Sequence, residues 1–272
     1  MEIIKTYPVC LQKEIKFFYS ILAKEAEHGQ AIQRRLPDGT LDIILNFGGG
    51  VYLSDNGDAY AGMPDISLTG LYKDKKFQYY RGDLHLVGVV FNPGFAHLFL
   101  RDKLSAFQAN TCNAELIFGN VFANLMEQMC GLRTEKEKHQ ILERFLYARL
   151  QKSKDSYTIN KLMLVLDQIH LLKGHASMKR LSMDHFMSER NFRRKFHEYV
   201  GLPPKKYASI VRVKSFCKSY QSGITSFCKI ADQLQYTDAS HLFKDFRKIT
   251  GTDPTSYFRQ VNPIGSKFID LM

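Results

Sequence analysis

The sequence predicts a two-part chain, a β-rich N-terminal domain followed by an all-helical C-terminal domain. Three observations carry this. Short apolar runs punctuated by glycine-rich turns fill residues 32–100, the apolar spacing turns helical from about residue 134 onward, and one segment of the helical half occurs twice. The length of 272 residues fits two domains, and 44% hydrophobic content supplies real cores, which excludes a disordered or collagen-like chain.

In the first half, Leu41–Phe47 reads as a strand that follows the tight turn Pro37-Asp38-Gly39. Gly48-Gly49-Gly50 reads as a bend into Val51–Leu53, and Asp55-Asn56-Gly57-Asp58 as a further turn. Leu84–Phe91 is a strand of the buried type, ended by Asn92-Pro93-Gly94. Repeated short strands of this kind imply a barrel or a sandwich. Thr134-x-x-Glu137 is a capping box opening a helix over 134–150, with Ile141, Leu142, Phe145, Leu146 and Leu150 on its apolar face. The polar run 151–157 is the expected linker. Leu162, Val165, Leu166, Ile169 and Leu172 then mark a helix closed by Gly174.

The repeat has an offset of 50. Ser188–Tyr207 (SERNFRRKFHEYVGLPPKKY) lies over Asp238–Tyr257 (DASHLFKDFRKITGTDPTSY) and pairs Phe196 with Phe246, Gly201 with Gly251, Pro204 with Pro254, and Tyr207 with Tyr257. In each copy a good N-cap, Ser188 or Asp238, opens a helix. Phe192 and Phe196, like Leu242 and Phe246, form its buried stripe at i, i+4. A glycine then ends it in a left-handed conformation. A shorter apolar segment precedes each cap, Met178–Phe186 and Phe227–Leu234, so each copy is a helix-turn-helix unit.

Charge is divided unevenly. Residues 1–150 hold 17 basic and 17 acidic side chains, whereas 151–272 hold 21 and 10 and so carry the whole net charge of +11. That directs a polyanion to the second half. On the first capped helix Arg190, Arg193, Arg194 and His197 lie opposite the phenylalanines, spaced to reach phosphates or to fork onto guanine in a major groove. On the second, Ser240, Lys244 and Arg247 point outward, flanked by Ala239 and Phe243, which suit contact with a thymine methyl. The expected DNA-binding set is Arg190, Arg193, Arg194, Ala239, Ser240, Phe243 and Lys244.

These motifs resemble the AraC/XylS family of bacterial transcription regulators. The resemblance rests on Met187-Ser188-x-x-x-Phe192-x-x-x-Phe196, Gly201-x-x-Pro204-x-x-Tyr207, Ile230-Ala231, Asp238-x-x-x-Leu242-x-x-x-Phe246 and Gly251-x-x-Pro254-x-x-Tyr257, and covers about residues 158–260. It implies two units joined by a long helix, about Pro204–Tyr220 with a basic Arg212, placing their recognition helices in successive major grooves. Two positions depart from the pattern. Ser182 stands where the first unit usually has alanine. Gln235 stands where the second usually has glycine, so the backbone there must tolerate a side chain. The runs Arg35–Phe47 and Val87–Gly94 are similar to a β-rich, cupin-like barrel domain of some such regulators, a resemblance over about residues 5–120. It implies a domain, here residues 1–150, that senses a small molecule, dimerises, or both.

The expectation is therefore a DNA-binding transcription regulator and not an enzyme, with domains at 1–150 and 158–260 and a tail at 261–272. Its partners are double-stranded DNA, a small-molecule effector, a second copy through the 134–150 helix, and RNA polymerase if it activates. No cofactor or metal is expected. His85 and His97 are isolated, no His-x-His occurs, and Gly48-Gly49-Gly50 is not a phosphate-binding loop. The competing readings are a metal-binding or enzymatic barrel fused to a DNA module, and a basic scaffold or RNA binder without sequence preference. Five cysteines without a C-x-x-C pair point to free thiols in a reducing compartment. With no leader-like start and no apolar run of about 20 residues, the chain is expected to be cytoplasmic.

Overall fold

The computed structural model describes residues 1–28, 32–100, 103–107, 111–150, 156–224 and 226–260. The expected linker falls largely on residues 151–155, and the tail on 261–272, outside the described residues. The described residues of the N-terminal region form ten short strands: β1 (Glu2–Thr6), β2 (Ile15–Ala23), β3 (Gln33–Arg35), β4 (Leu41–Asn46), β5 (Gly50–Ser54), β6 (Ala61–Gly62), β7 (Ile66–Gly70), β8 (Lys76–Arg81), β9 (Leu84–Phe91) and β10 (Cys112–Asn113). They form a six-stranded sheet in the order β1-β2-β9-β4-β7-β10 and a four-stranded sheet in the order β3-β8-β5-β6, with antiparallel pairing throughout.

The large sheet is buried on both faces. Phe17, Tyr19 and Ile21 of β2 turn toward the small sheet and meet Ile44, Val51, Tyr80, Leu86 and Val90. Ile15 and Phe18 turn outward, into a second core covered by helices. A strand apolar on both faces shows no alternation, and Ile15–Ala23 also lacks the turn residues that mark the end of Leu84–Phe91, so it carries no strand signal in the sequence.

The helices of this region are α1 (Glu25–His28), α2 (Ala96–Leu100), α3 (Glu115–Phe118), α4 (Val121–Cys130) and α5 (Glu135–Leu150), with a 3-10 turn at Leu104–Phe107. The capping box forms as the sequence predicts. Thr134 N donates to Glu137 Oε2 at 2.9 Å, and Glu137 N to Thr134 Oγ1 at 3.3 Å. Leu142 and Leu146 are wholly buried, so most of the α5 stripe is core. Glu143 on the same helix accepts the N–H groups of Val9, Cys10 and Leu11, which straps the N-terminal loop to α5.

The C-terminal region is helical from α6 (Ser156–Leu171) onward and takes up the last two residues of the expected linker. α7 (Met178–Asp184) and α8 (Glu189–Val200) form the first unit, and α10 (Phe227–Gln233) and α11 (Ala239–Thr250) the second. α9 (Pro204–Gln221) joins them, and α12 (Pro254–Gln260) follows in the position relative to α11 that the start of α9 holds relative to α8. Phe192, Phe196, Phe216 and Phe246 are fully buried, at roughly 2–3 kcal/mol of apolar transfer each.

The core of the C-terminal region is continuous with the helix-covered core of the N-terminal one. At the seam the Tyr207 ring of α9 lies against Gly39, where a Cβ would come within 2.7 Å of it. Lys214 Nζ donates to the Asp38 carbonyl at 2.9 Å, and His97 packs edge-on against Tyr199 with ring centroids 4.5 Å apart. The turn Pro37-Asp38-Gly39 is thus a contact surface as well as a turn. Behind it, Arg35 pairs with Asp42 at 2.8 Å. Burial outweighs that pairing and pushes the Asp42 carboxyl up to about 7. Burial also lowers Lys16, to about 8. Asp38 is held below the usual carboxylate range: burial alone would raise it, but Lys214 and Arg35 prevail.

Candidate nucleic-acid interface

The two capped helices are equal in length, 12 residues each, and start 50 residues apart. Ser188 Oγ accepts from Asn191 N at 3.3 Å, and Asp238 Oδ1 from His241 N at 2.7 Å. Gly201 (φ 86°) and Gly251 (φ 74°) close them in the left-handed region.

The helices that precede them end alike. Met187 N donates to Ser182 O and Phe186 N to Met183 O; Tyr236 N donates to Ala231 O and Gln235 N to Asp232 O. Each is a Schellman ending with a non-glycine residue in the left-handed position, Phe186 at φ 54° and Gln235 at φ 56°. The expected tolerance at Gln235 is met, and the first unit makes the same demand of Phe186, whose side chain is 95% exposed. Four residues separate α7 from α8, whereas five separate α10 from α11, so the repeat offset is 49 before the turn and 50 after it. Ser182 is buried and satisfied, with Oγ donating to Lys179 O at 2.8 Å.

On α8, Arg190, Arg193 and Arg194 are exposed together, as the spacing predicts. Arg193 bonds Glu189 at 2.9 Å, and Arg194 bonds Glu198 at 3.2 Å and Asn191 at 3.0 Å. Exposed i, i+4 pairs contribute about 0.3–0.5 kcal/mol each, less than a bidentate contact to guanine at roughly 1–3 kcal/mol. The carboxylates therefore park the arginines along the helix without preventing a phosphate or base from taking them. Half-buried His197 lies at the C-terminal end of this stripe. Burial lowers its pKa, and the charge of Lys73 adds to that.

On α11, Ser240, Lys244, Arg247 and Lys248 are exposed and line a shallow groove with Phe243. Phe243 is half-buried, edge-on to Phe227 with ring centroids 5.1 Å apart, and Ala239 is half-buried at the helix start. The groove brings together all four expected residues of this helix except Ala239 and adds Arg247 and Lys248. Neither belongs to the expected DNA-binding set: Arg247 is read from the sequence only as an outward position, and Lys248 is not singled out, although its i+4 spacing from Lys244 places it on the same side.

Arg212 ties the joining helix to the second unit and to the turn that leads into the first. It donates from Nε to Asp245 Oδ2 at 2.7 Å, from Nη1 to Gly174 O at 2.7 Å and from Nη2 to Ser209 Oγ at 2.8 Å. Asp245 lies on α11 and Gly174 beyond the end of α6, so one guanidinium joins three helical segments. Sequence reasoning recognises Arg212 only as a basic position of the joining helix; its partners lie too far away in the chain to be seen.

Residues 181–260 match a helix-turn-helix domain family, and residues 8–113 match a domain of unknown function (DUF6597). No curated protein matches the chain. Among solved structures it is similar to ToxT from Vibrio cholerae (P21 form) at 11% identity and a TM-score of 0.48, covering 89% of this chain and 98% of that one. It is also similar to unsaturated fatty acid-bound ToxT of the same organism, at 12% identity and a TM-score of 0.45 with 89% and 94% covered. A third similar structure is the AraC-like transcriptional activator CuxR, at 14% identity and a TM-score of 0.33 with 86% and 90% covered. The matched helix-turn-helix domain spans both capped helices, and the repeated motifs from Met187 to Tyr257 fold as two helix-turn-helix units.

Proposed function

We propose that the chain is a sequence-specific regulator that reads duplex DNA with Arg190, Arg193 and Arg194 of α8 and with Ala239, Ser240, Phe243 and Lys244 of α11. The observation that carries this is the pair of equal, identically capped helices with exposed cationic faces, held in one frame by α9 and Arg212. Lysine and arginine contacts to phosphate supply salt-dependent affinity, and the α8 arginines supply most of the base readout. Selection of random duplexes by the purified chain, followed by salt titration, tests it. A bipartite motif with half-sites about 10 base pairs apart is expected, one helical turn of B-DNA. Sequence-blind binding alone would overturn it.

The N-terminal domain is the controlling part of this reading. A narrow apolar cleft of about 30 Å³ on the seam is lined by Leu36 and Pro37 from one side and by Ile210, Val213, Lys214, Cys217 and Lys218 of α9 from the other; a small-molecule effector that widened it would touch both regions at once. Half-buried Ile141 and Phe145 of α5, with Val121 and Leu125 of α4, form an open groove edged by Asn124, Gln128 and Arg144 and suited to a second copy. A strict monomer by sedimentation at high concentration would exclude the homodimer. RNA polymerase is the remaining partner if the regulator activates.

A further inference from the structure

The turn between β7 and β8, Leu71–Lys75, belongs to the N-terminal domain but is seated among the ends of both recognition helices. Leu71 packs on Gly201, the cap of α8, where a Cβ would lie 2.6 Å from the Leu71 side chain. Asp74 bonds Lys206 in the first turn of α9 at 3.1 Å. The Lys75 side chain lies directly over Gly251, the cap of α11. Three anchors thus fix a five-residue turn on α8, α9 and α11, and Leu71 adopts φ 48° to make it. Lys73 belongs to none of these anchors and is exposed. The carboxylate beside it, Asp74, is already engaged with Lys206, and the charge of Lys73 is felt at His197, on the last turn of the Arg190–Arg194 stripe.

When two recognition helices enter successive major grooves, the protein surface between them faces the phosphates that border the intervening minor groove. The turn touches the closing caps of both helices and so bridges the space between them. We infer that Lys73 contacts the DNA backbone, so that the N-terminal domain forms part of the DNA-binding surface and holds a phosphate between the two recognition helices. The proposal rests on the reading that α8 and α11 bind duplex DNA. It adds that the N-terminal domain contributes affinity directly, without sequence preference. Any effector that shifts this domain on its seam then alters DNA affinity by moving a cation away from a phosphate.

Binding of the full-length chain to a labelled selected duplex, and to a scrambled duplex of equal length, is measured by fluorescence anisotropy across monovalent salt. Lys73→Gln is expected to flatten the slope of log K against log salt by about 0.9. It should weaken both duplexes by the same factor, about fivefold to tenfold near 0.1 M salt, with base preference unchanged. Lys73→Glu weakens both further. Because the side chain is exposed, both variants melt with the wild type, which separates the contact from a folding defect. Slopes and affinities equal to those of the wild type in both variants overturn the proposal. So does a loss confined to the selected duplex, which would make Lys73 a base reader. If the wild type binds no duplex at any salt, the underlying reading falls too; if it binds well and the variants are silent, this inference alone falls.

Discussion

The first helix-turn-helix unit presents three arginines, two of them tethered to carboxylates of their own helix, and its C-terminal half is packed into the N-terminal domain at Tyr199, Val200 and Gly201. The second presents Ser240, Lys244, Arg247 and Lys248 around Phe243, a ring already engaged by Phe227, and meets the N-terminal domain near its cap. The frames coincide in helix length, caps and left-handed turn residues, while the surfaces diverge. Duplication therefore preserved what folds the unit and released what it reads. Planar guanidinium forks suit guanine edges, whereas lysines, a hydroxyl and a pinned ring suit backbone and methyl contact.

The strongest way to break the comparison is to remove what the units share. Arg212→Ala strands Asp245 in a largely buried site and is expected to cost about 3 kcal/mol, read as a lower urea midpoint. An unchanged midpoint would show that α9 alone holds the units. Next, Arg194→Ala and Lys244→Ala test the divergence. Arg194→Ala should lose roughly 1–3 kcal/mol on the selected duplex and relax preference at one base position, whereas Lys244→Ala should weaken all duplexes alike and reduce the salt slope by about one. Identical behaviour of the two variants would erase the distinction.

The seam that loads the first unit has a pH signature. The Asp42 carboxyl, raised by burial to about 7, keeps in the folded chain a proton that the unfolded chain has already released. Its contribution to stability is therefore greatest at low pH, falls as pH rises from about 4 to about 7, and is constant above. Asp42→Asn should remove this component, so melting temperature followed over that window should slope downward less steeply in the variant. Equal slopes would mean that Asp42 is ionised throughout. The smallest effect concerns the turns. Gln235→Gly and Phe186→Gly relieve a left-handed side chain and should each stabilise the chain by about 1 kcal/mol in urea titration. A gain in only one unit would show that its five-residue or four-residue turn carries the greater strain.

Most of the C-terminal frame was legible because its determinants are local: caps, i, i+4 phenylalanines and closing glycines are all read within one helix. Strands β4, β5 and β9 were legible through turns and β-branched runs, whereas β2 was not, since charged residues rather than turn residues flank it. The seam was invisible for a different reason. Gly39 and Tyr207, or Leu71 and Gly201, meet only through the fold, and Pro37-Asp38-Gly39 reads equally well as a simple turn. Net charge hides placement in the same way. The balance of zero over residues 1–150 averages away Lys75, which the fold carries to the cap of α11.

The closing glycines have one more consequence. Gly201 and Gly251 end their helices, and each also leaves the gap into which Leu71 or Lys75 fits. Either cap could be satisfied by asparagine, which tolerates the left-handed conformation, but at Gly201 its Cβ would strike Leu71, whereas at Gly251 the Lys75 chain can swing aside. Gly201 is thus a steric key, and the Leu71–Lys75 turn is the lock cut for it. A chimera joining this DNA-binding half to a foreign barrel inherits the key without the lock, and will retain its folded helices while losing the register between its halves.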